Sequence, residues 1–371
     1  MRRRSFLVAA TGLAGCGPSL MPPDPEPDFP AFLEGFEAQY AVSPHAAGRD
    51  WFRAAGSGLA IQYGVYSQLG RGPDAQFDGA IPLERYTALK ETFDPSGFDA
   101  EGIAATALEA DMAYVVMTAR HADGFCLFRT VQTDFNSLES GGRDLVGELA
   151  RACRHRGLGL FLTYSYAADW RHPYFYSSET GRAESYRSRP AYETTPEEYK
   201  FRNDEDFLRY IQYAHRQLEE IVYRYEPLVG VRLEPAAGYY ARPDLFPVGQ
   251  TYSILRQAQP WILISFGQGV SGDEDFTTKP RLQGSQPFRG DIAERARLAN
   301  RDKSREVRAH LRAGGSADDA SLGSARALLD EYGRVGNVPA NLLTSVRLRP
   351  DGSLDPADAR ALREFGQLLH M

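Results

Sequence analysis

From about residue 50 to the C-terminus, short apolar runs alternate with longer amphipathic ones, and that repeated order of strand then helix admits few architectures. Strands apolar on both faces need cover on both faces, which parallel strands joined by packed helices provide. The candidate strands are GLAIQYGVYS, AYVVMTARH, GLGLFLTYSY, LVGVRLEP, WILISFG and VPANLLTS. Between and after them the periodicity predicts helices over 99–112, 144–156, 204–225, 324–334 and 356–370. Asp99 and Asp355 stand at N-cap positions, and Pro356 suits the first helical position. The last helix turns Leu362, Phe365, Leu368 and Leu369 to one side. A chain of 371 residues is long enough for one α/β barrel and shows no internal repeat.

Two stretches break the pattern. Residues 171–200 are polar, rich in Tyr and Ser and without period, and 267–289 is similar. Both are expected as long loops above the carboxyl ends of strands, where such folds place their chemistry. Acidic residues outnumber basic ones by 49 to 42, and the formal charge of −7 argues against nucleic acid as a partner. The 20 Tyr and 20 Phe would suit stacking on sugar faces, although aromatic cores are the commoner use. The seven His include no HxH pair and no HExxH, so no metal or cofactor is expected.

The N-terminus is expected to be an address rather than part of the fold. Arg2, Arg3 and Arg4 precede an apolar run that is too short to span a bilayer but right for a signal-peptide core. RRRSFL resembles a twin-arginine signal, and Leu13-Ala14-Gly15-Cys16 resembles a lipobox. We therefore expect a signal peptide over 1–15, lipidation at Cys16, a Pro-rich tether over 16–48 and a barrel over 49–371. The expected location is the periplasmic or extracellular side of a bacterial membrane, with the lipid on Cys16 as the membrane contact. Cys126 and Cys153 are expected as buried free thiols, since each sits beside apolar residues of a barrel element.

The strings IQYGVYS, ETFDPSGFDAEGIAATALEADMAYVVMTARHADGFCLF, RDLVGELARACRHRGLGLFLTYS and DW resemble the barrel of the α-L-fucosidases, glycoside hydrolase family 29. GDEDFTTKP looks like the loop after that family's fifth strand, and NLLTSVRLRPDGSLDPADARALREFG looks like its closing strand and helix. The resemblance runs over about 51–369. It implies a TIM-type (β/α)8-like barrel, lacking the family's C-terminal β-sandwich, that retains configuration while cleaving a terminal sugar from a glycan.

Such chemistry needs an ionised nucleophile and a protonated acid, about 5 Å apart. Glu234 ends the strand LVGVRLEP, a natural catalytic position at a barrel mouth, and the resemblance implies the nucleophile there, with Glu where the family has Asp. The implied acid comes from the loop offering Asp273, Glu274 and Asp275, while the family's TPE-like triplet reads Thr278-Lys279-Pro280. For substrate binding the resemblance implies His121, Asp123, Tyr164 and Trp170. Gln62 and Tyr63 stand in place of a His-Trp pair, Ala122 in place of a second His, Arg85 near an expected Trp, and Gly267 in place of an Arg. Gln62 cannot carry charge as His does, and Ala122 offers no hydrogen bond at all. The alternative implied by these changes is a glycan-binding lipoprotein, without activity, on the same barrel.

Overall fold

The computed structural model describes residues 29–176, 192–280, 290–312, 321–336 and 340–371. The chain divides into two units, Met1–Pro30 and Ala31–Met371, and every element described below belongs to the second. The signal peptide, Cys16 and the tether up to residue 28 fall outside the described residues.

Eight parallel strands build one sheet: β1 (Ser57–Gln62), β2 (Tyr114–Arg120), β3 (Gly159–Ser165), β4 (Gly230–Glu234), β5 (Leu263–Phe266), β6 (Phe276–Pro280), β7 (Ser304–His310) and β8 (Ala340–Arg347). Their order is β5-β4-β3-β2-β1-β8-β7-β6. The edge strands meet through the Asp275 N–H on the Ile264 carbonyl (2.7 Å) and the Thr278 N–H on the Gly267 carbonyl (2.8 Å). The sheet is thus a nearly closed α/β barrel of the expected class, with helices outside it.

Helices Ala100–Glu109, Leu145–His155, Asp204–Arg224, Ala325–Gly336 and Pro356–Leu369 form where the periodicity places them. The Asp99 carboxylate accepts the Gly102 N–H (2.9 Å) and the Asp355 carboxylate accepts the Ala357 N–H (2.8 Å), so both expected caps are made. Leu362 and Phe365 are fully buried, and Leu368 and Leu369 pack against the same core. Cys126 and Cys153 are free and buried, and burial pushes each thiol up to about 12.

The structure departs from the sequence reading in three places. Residues 31–48, expected as the end of an extended tether, are largely helical, with Ala31–Leu33, Glu37–Val42 and the start of Pro44–Ala54. Pro44–Ala54 closes the N-terminal end of the barrel: Phe52 lies 4.3 Å from Phe276 and 5.6 Å from Phe161 between ring centroids. Part of the expected loop 267–289 is strand β6. Strand β7, SREVRAH, was not anticipated because it lacks an apolar run: Glu306 and Arg308 alternate with Val307 and Ala309 and pair across the barrel, as described next.

Candidate active site at the barrel mouth

A barrel of parallel strands places its loops, and hence its mouth, at the strands' carboxyl ends. Glu234 is the last residue of β4, and its backbone carbonyl accepts the N–H groups of Tyr166 (2.7 Å) and Ala167 (3.0 Å) beyond the end of β3. Its side chain is one-third exposed and meets Arg308 of β7, with Nη2 at 3.4 Å from Oε1. Two residues deeper on the same strands the charges are reversed: Arg232 Nη2 lies 2.8 Å from Glu306 Oε1, and both side chains are 1% exposed. The Tyr114 hydroxyl donates to Glu306 Oε2 (3.0 Å) from below. Side chains two apart share a face of a strand, so R-x-E on β4 and E-x-R on β7 form two rungs of opposite polarity.

The three candidate acids do not join Glu234. Asp275 lies where β6 begins. Its Oδ2 accepts the Ile264 N–H (2.8 Å), and its Oδ1 meets His45 Nε2 (2.8 Å) on the helix that closes the N-terminal end. Ile264 is in register with Val231, three residues before Glu234, a separation of about 10 Å along the strand. Glu274 is buried and accepts from Tyr252 (2.7 Å), Asn300 (3.0 Å), the Ser271 hydroxyl (3.2 Å) and the N–H groups of Val270, Ser271 and Gly272. Burial alone would raise its pKa, but the hydrogen bonds from Val270, Ser271 and Tyr252 outweigh it and hold the group below the usual glutamate value. That is the reverse of what a general acid needs. Asp273 is exposed, in a groove with Tyr252 and Arg256. The chain takes only nine residues, with no helix, to run from β5 back down to β6, and this carries the acids away from the mouth. Gly267 makes the first bend at φ +55°, and a Cβ there would sit 2.9 Å from the Ala236 Cβ, so the family's Arg has no room.

The implied binding residues divide by strand face. Gln62 lines a pocket of about 180 Å³ at the carboxyl ends of β1, β7 and β8, together with His310, Ser345 and Arg347. Tyr63, the next residue, turns away: it is buried against Phe93 and Phe98 and its hydroxyl donates to the Pro350 carbonyl (3.0 Å). Tyr164 likewise is 0% exposed, donates to Gln217 (2.8 Å) on the helix Asp204–Arg224 and lies under the Arg120 guanidinium at 4.4 Å. The resemblance thus aligned Tyr63 and Tyr164 with sugar contacts, but both face the helical layer. Arg85 is exposed on its helix, while its neighbour Tyr86 donates to Asp123 (2.7 Å). Asp123 is buried, which raises its pKa, and it also caps its own turn through the Phe125 N–H (2.8 Å). His121 is partly exposed and lies 6.0 Å from both Tyr66 and Trp170 between ring centroids. Trp170 is 2% exposed and acts as wall behind His121 rather than as an open platform.

The mouth thus gathers Glu234, Gln62 and His121 from the expected set and adds Arg308, His310 and Arg347, which were missed. For Arg308 the signal was present: charges at 306 and 308 in SREVRAH, complementary to those in VRLE.

Comparison with known proteins fits this geometry. A family model described as Alpha-L-fucosidase matches residues 34–231, more than half of the 371, and stops just short of Glu234. A rice protein described as putative alpha-L-fucosidase 1 is 39% identical over 99 residues, covering 25% of this chain and 19% of its own. Human plasma alpha-L-fucosidase is 28% identical over 172 residues, 42% of this chain and 37% of its own. The matched stretch therefore spans well under half the length of these curated relatives. Among solved structures, alpha-L-fucosidase isoenzyme 1 from Paenibacillus thiaminolyticus has a TM-score of 0.71 at 25% identity, over 88% of this chain and 76% of that one. Alpha-L-fucosidase AlfC from Lactobacillus casei, in complex with α-L-fucose product, has a TM-score of 0.68 at 24% identity, over 86% and 97%. With a barrel of this architecture and a family model matched over more than half its length, the chain belongs to the α-L-fucosidase family.

Proposed function

We propose that the protein is a retaining glycoside hydrolase that removes a terminal sugar from a glycan, with Glu234 as its nucleophile. The observation that carries this reading is the place of Glu234: it ends β4 at the mouth, one-third exposed, with Arg308 3.4 Å away. In such a reaction the carboxylate attacks the anomeric carbon while an acid protonates the departing oxygen, and water then releases the ester. Glu is one methylene longer than Asp, which shifts the reacting oxygen by about 1 Å, so the sugar must sit farther from β4 than in a relative that uses Asp. The test is a panel of nitrophenyl glycosides, including the α-L-fucoside, with wild type and Glu234→Gln side by side. Hydrolysis that Glu234→Gln eliminates supports the reading; hydrolysis that survives removes Glu234 from the reaction.

A second reading, a glycan-binding protein without turnover, is favoured by one observation: Asp273, Glu274 and Asp275 all lie toward the amino ends of the strands. It predicts saturable sugar binding that persists in Glu234→Ala with no hydrolysis of any glycoside. In either case we propose export and lipid anchoring through Cys16, on the basic, apolar and lipobox-like order of the first residues.

A further inference from the structure

The two charge pairs that join β4 to β7 differ in how fully they are engaged. In the lower one Glu306 has both oxygens occupied: Oε1 lies 2.8 Å from Arg232 Nη2, and Oε2 accepts the Tyr114 hydroxyl (3.0 Å). Side chains two apart on a strand share a face, so Glu306 is the carboxylate that Arg308 would otherwise meet on β7, and Arg232 is the cation that Glu234 would otherwise meet on β4. The lower pair takes both out of competition. Glu234 and Arg308 are left to each other across the mouth, with Arg308 Nη2 3.4 Å from Glu234 Oε1. Among the described residues no other side chain is bonded to Glu234, and none reaches its Oε2. Glu234 is thereby held at two points. Its backbone carbonyl accepts the N–H groups of Tyr166 (2.7 Å) and Ala167 (3.0 Å), which fixes where the side chain starts. A glutamate turns about several bonds, so its carboxylate still needs a partner to fix where it ends.

We propose that Arg308 is a positioning residue for Glu234: it holds Oε1, so that Oε2 is the oxygen that attacks the anomeric carbon. The proposal rests on the nucleophile reading above. Arginine suits the task because its planar guanidinium sets a direction as well as a charge. With a nitrophenyl glycoside the step needs no other group. Oε2 forms its bond to the anomeric carbon as the bond to the phenolic oxygen breaks, and the electron pair of that bond leaves with the nitrophenolate. Arg308 touches neither bond and acts only through the place of the carboxylate. A displacement of about 1 Å in a reacting atom costs on the order of a hundredfold in rate, so the loss of Arg308 falls on the attack step and not on the binding of sugar.

The experiment follows single-turnover release of nitrophenolate by the full-length protein, from a nitrophenyl glycoside that the wild type cleaves, which separates binding from attack. Arg308→Gln should slow attack about tenfold to a hundredfold while substrate affinity stays within about threefold. Arg308→Lys should recover part of the rate, since it keeps a charged donor but loses the planar fork. Glu234→Asp draws the carboxylate back by about 1 Å, away from Arg308. In that background Arg308→Gln should change the rate by less than about twofold, the non-additivity expected of two residues that act as a unit. The two side chains are 29% and 33% exposed, so each variant should unfold close to the wild-type midpoint. An attack rate unchanged by Arg308→Gln overturns the proposal and leaves Glu234 as the nucleophile. So does an effect seen in affinity alone, or one of equal size with and without Glu234→Asp, because Arg308 then acts on something other than Glu234. Turnover of no glycoside by the wild type, or turnover that survives Glu234→Gln, overturns the nucleophile reading and the proposal with it.

Discussion

Glu274 shows why a carboxylate must be judged by its neighbours rather than by its place in a loop. Its oxygens accept hydrogen bonds from Tyr252, Asn300, Ser271 and the backbone of 270–272, so its task is to shape the turn between β5 and β6. Glu274→Ala strands several of these donors at about 1–3 kcal/mol for each one left unpaired, so we expect a loss of about 3 kcal/mol or more. Denaturant unfolding measures this. A full-stability variant that has lost turnover would instead make Glu274 a catalytic group. The sign of its pH dependence follows from the lowered pKa: the carboxylate stabilises the fold above the unfolded-state value of 4.5, and that contribution disappears as pH falls through the lower folded-state value. Tyr63 and Tyr164 teach a related lesson. In a barrel strand covered on both sides, apolar residues mark both faces, so the sequence shows no boundary between mouth and helical layer. The register of one residue then decides between Gln62 and Tyr63, or between Tyr164 and Ser165.

At the scale of elements, β4 and β7 are joined through the barrel by two crossed charge pairs. Arg232 and Glu306 are both 1% exposed, so removing one partner leaves an uncompensated buried charge. Arg232→Met or Glu306→Gln should each cost about 3–5 kcal/mol, while the double change to Met and Leu should recover much of that loss. A double variant no more stable than either single one would show that the pair matters by more than its charge. The same crossed pattern sets the limit on what could be read in advance. Strands β1 to β5 and β8, and the helix caps at Asp99 and Asp355, are legible because apolar runs and capping residues have short-range causes. Strands β6 and β7 are not, because β6 is five residues of mixed polarity and β7 spends its inward positions on ion pairs whose partners lie 74 residues earlier. The position of Glu234 at the mouth was legible, because it follows an apolar run directly, whereas that of Asp273, Glu274 and Asp275 was not, since only the path from β5 to β6 reveals which end of the barrel they reach.

At the scale of the whole molecule, the family barrel keeps a carboxylate at the end of β4, and its mouth gathers Gln62, His121 and Arg308 with it. If the first residues direct export and lipidation, Cys16→Ala should move the protein from the membrane fraction to the soluble one, and fractionation with metabolic palmitate labelling reads this directly. Retention of label in that variant would place the anchor elsewhere. The nucleophilic role of Glu234 remains the claim on which the mechanism turns. The most direct measurement is mass spectrometry of the protein after incubation with a 2-deoxy-2-fluoro-L-fucosyl fluoride, which slows release of a glycosyl-enzyme ester. The account predicts one added sugar, recovered on the peptide that contains Glu234; an unlabelled protein, or a label on any other carboxylate, would contradict it.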